Sequence, residues 1–119
     1  EVVCGIDAFA SPGTEEFLTA LGIAFRVDLD GALRDPQIDG IVLATPHALH
    51  EEQALKVLDA GKHLFCEKPL AMTSAGAENI LAAGRRRGWH DGSDSDTFRG
   101  IGFGRGAAAP GEHPLRRHR

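Results

Sequence analysis

The sequence lacks several features that would point to a membrane or a nucleic acid. No apolar run approaches the roughly 20 residues of a membrane span, and the chain opens at Glu1 straight into an apolar segment, with no charged leader. Net charge is −4, which excludes a chain basic overall, as nucleic-acid or anionic-membrane binding would favour. Cysteine is scarce. Cys4 and Cys66 each lie inside an apolar run, without metal-ligand spacing or a C-x-x-C pattern. They read as small apolar side chains in a reducing compartment, and a cytoplasmic location is expected. The first residue is not Met, and an upstream segment is expected.

What is present divides in two. Residues 1–83 carry 5 Lys and Arg against 13 acids, whereas residues 84–119 carry 8 Arg and 8 Gly against 4 acids. In the first part, short Val/Ile/Leu-rich runs alternate with helix signals. Strands are expected near 2–6, 23–27, 40–44 and 63–66. A first helix is expected behind Ser11 and Pro12, with Phe17, Leu18 and Leu21 as its apolar side and Gly22 as its stop. Asp28 caps a short second helix, broken at Asp35-Pro36. A third runs from His47 to Ala60, with Leu49, Ala54, Leu55 and Leu58 apolar. A fourth starts at Thr73 or Ser74 and runs to about Ala83. Strands alternating with helices over short loops argue for βαβ units and a parallel sheet with helices on both faces.

The second part has only Ile101 and Leu115 among its Ile, Leu and Val. It is expected to be mostly disordered, since it buries too little apolar surface to offset ordering entropy. Its Arg, Gly, Ala and Pro content also matches out-of-frame reading of GC-rich DNA. A regular strand from it beside His63–Cys66 would speak against that origin.

Several residues fall where chemistry is possible. Ligands of open parallel sheets bind outside the carboxyl ends of the strands. Asp7 ends the first strand, where an acid can hydrogen-bond the adenosine ribose. It would repel a 2′-phosphate, and residues 8–12 offer no Arg to hold one, which favours NAD over NADP. Ala44-Thr45-Pro46 ends the third strand and Glu67-Lys68-Pro69 the fourth. A Lys there can donate to a substrate hydroxyl or assist proton transfer. His47 and His50 are three residues apart, but no third metal ligand lies nearby, and no metal is expected. Taken singly, each of these reads more readily as an ordinary turn or surface residue.

Taken together they resemble one family. The stretch DPQIDGIVLATPHALHEEQALKVLDAGKHLFCEKPLAMT, Asp35 to Thr73, is similar to the heart of the Gfo/Idh/MocA dinucleotide-binding domain. The ordered signature is Ala44-Thr45-Pro46, three residues, His50, a helix, Gly61-Lys62-His63, three residues, then Glu67-Lys68-Pro69-Leu70-Ala71. Looser similarity extends from Glu1 to about Ala83. The resemblance implies an α/β fold, a partial Rossmann-like doubly wound parallel sheet lacking its first strand and glycine-rich loop. It implies hydride transfer between NAD, less readily NADP, and a sugar, inositol or related polyol. Lys68 is the implied catalytic residue. Asp7, Thr45, Pro46, His50, Glu67 and Pro69 are the implied cofactor residues. His47 departs from the Asn common after Thr-Pro. No nucleic acid or membrane partner is expected, and a homo-oligomer is compatible with a full-length parent.

The family's G-x-G-x-x-G loop and its second, substrate-binding domain are not found in the 119 residues. Gly102-x-Gly104-x-x-Ala107 fits the loose fingerprint by chance, because Pro110 follows where a helix should run. Weak or no NAD binding by this chain alone is therefore expected. The alternative expectation is a non-catalytic truncated remnant or scaffold fragment. The expected division is a partial dinucleotide-binding domain over 1–83 and a tail over 84–119.

Overall fold

The computed structural model describes residues 1–91 and 100–105. These fall into two units, Glu1–Ile38 and the chain from Asp39 onward.

The first unit is a βαβα arrangement. Strand β1 (Cys4–Ile6) pairs in parallel with β2 (Ala24–Arg26), Cys4 opposite Ala24 and Ile6 opposite Arg26. Helix α1 (Thr14–Ala20) crosses between them. Its N-cap is Gly13, in the left-handed region at φ 88°, and not Ser11, which contributes its backbone carbonyl to the Thr14 N–H. Glycine takes this φ at no steric cost, so the helix is capped two residues later than the Ser-Pro pair suggests. Leu18 packs over Gly5, where an added Cβ would sit 2.8 Å from Leu18 Cδ1. Phe17 and Leu21, expected beside Leu18, are exposed. Helix α2 (Leu29–Arg34) is capped by Asp28, whose Oδ1 accepts from the Gly31 N–H at 2.7 Å. The Asx cap matches the expectation, and it satisfies a donor that has no partner within the helix.

The second unit starts with β3 (Gly40–Leu43), a 3-10 turn (His47–Leu49) and α3 (His50–Asp59). Strand β4 (His63–Glu67) and α4 (Ser74–Arg86) follow. β3 and β4 are parallel, with Leu43 opposite Cys66. Burial alternates along both strands: Ile41, Leu43, Leu64 and Cys66 are buried, while Val42 between them is 70% exposed. The expected continuous apolar burial therefore gives way to a period-two pattern here. The core joins these residues to Ala54, Val57 and Leu58 of α3 and Ile80 of α4. Each fully buried aliphatic contributes roughly 1.5–3 kcal/mol. Of the apolar positions expected on α3, Ala54 and Leu58 are buried, Leu55 is half-buried and Leu49 is exposed.

The expected division lies at residue 83, between a partial domain and a tail. Helix α4 runs through to Arg86, and two strands follow it, β5 (Trp89–Asp91) and β6 (Gly100–Arg105). β6 lies antiparallel beside β4, Leu64 opposite Phe103 and Glu67 opposite Gly100, and β5 pairs with β6. The sheet order is β3-β4-β6-β5. This is the strand beside His63–Cys66 that speaks against an out-of-frame origin. A ladder needs backbone N–H and C=O groups, which glycine supplies as well as any residue. Counting aliphatic side chains therefore understates this segment. Gly102 and Gly104 lie within β6, so they do not form a loop that opens a helix. The expectation of disorder for residues 92–99 and 106–119 lies outside the described residues.

Candidate functional site

The site begins with strand direction. Because β3 and β4 are parallel and in register, the chain leaves both at the same edge of the sheet. Thr45 and Pro46 follow β3, and Glu67-Lys68-Pro69 closes β4. The backbone thus brings five of the six candidate residues of this unit to one edge, and the sixth, His50, ties them together.

His50 opens α3 and is completely buried. Its Nε2 lies 2.9 Å from the carbonyl oxygen of Thr45, and its Nδ1 lies 2.7 Å from that of Pro69. Carbonyl oxygens only accept. An imidazole with one proton donates to one of them, and a ring with both nitrogens protonated donates to both. Either way both nitrogens face protein backbone. His50 is thus a strut between the two loops. Its neighbour His47 lies 5.6 Å away, ring centre to ring centre, and is exposed.

The remaining geometry leaves the loops open to a ligand. Pro46, Lys68 and Pro69 are exposed, and Thr45 and Glu67 are half-buried. The Lys68–Pro69 peptide is cis. The Lys68 ammonium makes no ion pair among the described residues. Just past the loop, Thr73 caps α4 by accepting from the Gly76 N–H at 3.0 Å. Glu51, next to His50, accepts from Asn79 Nδ2 on α4 at 3.0 Å. The first turn of α3 is therefore fastened to the second turn of α4.

One participant escaped the sequence reading. Gln53, on the first turn of α3, accepts at Oε1 from the Thr45 hydroxyl at 2.5 Å. The available signal was positional. His50 and Gln53 are three residues apart, so both lie on the helix face that meets the Thr45 turn.

Asp7 belongs to the first unit. It follows β1, and its backbone N–H donates to the Arg26 carbonyl at 3.1 Å. Its Oδ1 accepts from the Phe9 N–H at 2.8 Å, leaving Oδ2 without a partner among the described residues. Arg26, across from Ile6, is the nearest guanidinium in register. It is committed to Asp35, Nη2 to Oδ2 at 2.6 Å. That hydrogen bond holds Arg26 above its ordinary value, outweighing partial desolvation.

Two other features carry less. Burial pushes the Cys66 thiol up to about 11, with the Glu67 charge adding to the effect. A cavity of about 290 Å³ lies between the far ends of α3 and α4, lined by Leu55, Lys56, Leu58, Asp59, Ala83, Arg86 and Arg87. It opens near Asp59, a ten-residue helix away from His50, or about 15 Å. Among the described residues no helix is long and apolar enough to cross a membrane.

The oxidoreductase family with an NAD-binding Rossmann fold, Gfo/Idh/MocA, matches residues 3–90. The 1,5-anhydro-D-fructose reductase of Ensifer adhaerens is 38% identical over 89 residues, 74% of this chain and 26% of that protein. The inositol 2-dehydrogenase of Paracoccus denitrificans is 43% identical over 63 residues, 50% of this chain and 19% of that protein. Among solved structures, the 3-ketoreductase KijD10 of Actinomadura kijaniata, in complex with TDP-benzene and NADP, superposes with a TM-score of 0.66 at 28% identity. It covers 74% of this chain and 28% of its own. The WlbA dehydrogenase of Bordetella pertussis, in complex with NADH and UDP-GlcNAcA, gives 0.64 at 31% identity, covering 74% and 25%. The chain thus spans about a quarter of the length of these relatives.

Proposed function

Because the chain belongs to the Gfo/Idh/MocA oxidoreductase family, we propose that it supplies part of the dinucleotide site of an NAD-linked oxidoreductase acting on a sugar, inositol or related polyol. The observation that carries this reading is that Thr45 and Lys68, the latter without an ion pair among the described residues, follow or close parallel strands at one sheet edge, where His50 spans the Thr45 carbonyl and that of Pro69, next to Lys68. The substrate class rests on relatives named for an anhydrofructose and an inositol.

The residues present fit a dinucleotide. Asp7 has an unpartnered carboxylate oxygen suited to a ribose hydroxyl. Arg26, the guanidinium that could meet a 2′-phosphate, is held by Asp35. Both favour NAD. One relative, the D-xylose 1-dehydrogenase of Hypocrea jecorina, is named for NADP, and the WlbA dehydrogenase structure holds NADH.

Bound dinucleotide supplies the hydride chemistry. The work of this chain is positioning. Lys68 donates to the reacting hydroxyl or carbonyl oxygen and stabilises negative charge that develops there. Thr45 and Pro46 shape the floor beside it.

Calorimetric titration with NAD and NADP at millimolar concentrations tests the reading. Saturable heat with NAD, weaker with NADP, is expected. Tighter binding of NADP would contradict the cofactor choice, and NAD heat left unchanged by Lys68→Ala and Thr45→Ala would contradict the site.

A further inference from the structure

A threonine hydroxyl normally rotates to donate or accept as its partner requires. That freedom is removed at Thr45. Its single proton goes to Gln53 Oε1 at 2.5 Å, and its carbonyl is held by His50 Nε2 at 2.9 Å. Two side chains from one turn of α3 therefore grip the same residue, one by the backbone and one by the hydroxyl. What the half-buried hydroxyl still offers is lone pairs only.

We propose that Gln53 is a specificity-determining positioning residue, which makes Thr45 an obligate hydrogen-bond acceptor and selects the carboxamide NH2 of a nicotinamide ring. The inference rests on the reading that Thr45 and Lys68 border the nicotinamide end of the site. A ribose hydroxyl adapts to a donor or an acceptor, so a fixed polarity gains nothing from it. A carboxamide nitrogen only donates, and an acceptor of fixed polarity discriminates for it. Lys68 has the opposite polarity, since an ammonium only donates. The edge therefore sorts ligand groups, donors to Thr45 and acceptors to Lys68.

Two measurements on the 119-residue chain test this. The first needs no ligand. Proton NMR should detect a slowly exchanging Thr45 hydroxyl coupled through space to Gln53. The signal should persist in Gln53→Glu, whose carboxylate still accepts, and vanish in Gln53→Leu. Side-chain amide protons of Gln53 directed at Thr45 Oγ1 would reverse the polarity and overturn the proposal, whatever binds. The second compares nicotinamide mononucleotide with nicotinic acid mononucleotide, whose carboxylate only accepts, through the Thr45 amide shift. The amide-bearing ligand should bind more tightly. Gln53→Leu should narrow that preference by about three- to tenfold, and Gln53→Glu should restore it. An unchanged preference in Gln53→Leu, or a Thr45 shift reproduced by ribose 5-phosphate, overturns the role of Gln53 and leaves the site reading standing. Absence of any Thr45 shift with nicotinamide mononucleotide defeats the site reading itself, and with it the ligand selection.

Discussion

His50 Nδ1 lies 2.7 Å from the carbonyl oxygen of Pro69, joining the first turn of α3 to a loop nineteen residues further along the chain. Through its other nitrogen the same ring holds Thr45. The candidate site is two loops braced by one buried side chain, and its precision depends on that brace.

Removing the brace should be costly. His50→Ala leaves a cavity and removes the ring that spans the two carbonyls. Cavity formation and loss of buried hydrogen bonds together predict destabilisation of about 3–5 kcal/mol. Urea unfolding of the two proteins measures it. A loss below about 1 kcal/mol would show that the strut contributes little.

Cys66 should be inert where Cys4 is not. Cys66 is completely buried, whereas Cys4 is half-buried. At pH 8 a thiol reagent should modify Cys4 first, with Cys66 following only as the chain unfolds. Because folding raises the Cys66 value from 9.0 to about 11, the folded state holds the proton more tightly. The associated stability is therefore complete below pH 9 and is lost as pH rises through about 11. Its slope is at most roughly 1.4 kcal/mol per pH unit. The difference between the wild-type and Cys66→Ala unfolding curves across that range isolates it, and parallel curves would refute it.

Much of this was legible in the sequence. Four short apolar runs gave four strands at the expected places, because βαβ units announce themselves by composition. Asp28 and Thr73 announced their helices, because a side-chain cap is local chemistry. Gly13 did not, because a left-handed backbone leaves no side-chain trace. β6 was missed because its ladder is made of backbone. Its Ile101 and Phe103 do alternate with glycine, a period-two signal that counting aliphatics obscures. His50 was picked out as a site residue, but its role as a strut needed coordinates. Gln53 was invisible because a hydroxyl partner eight residues away is a tertiary relationship.

Cofactor choice should turn on Asp7. Its carboxylate opposes a 2′-phosphate, and Arg26 cannot readily compensate while Asp35 holds it. Asp7→Ala should shift the NAD to NADP affinity ratio toward NADP by about tenfold, the size of one charge contact near the surface. Calorimetry reads the ratio directly. A ratio that does not move would remove Asp7 from the site.

The central claim is that the Thr45-Pro46 turn and the Glu67-Lys68-Pro69 segment form one ligand-binding edge. Residue-resolved amide shifts during titration with nicotinamide mononucleotide test it most directly. Concentration-dependent shifts are expected at Thr45, Lys68 and Leu70, with those at Thr45 and Leu70 reduced in Lys68→Ala. Shifts confined to the far ends of α3 and α4, at Lys56, Asp59, Arg86 and Arg87, would contradict it.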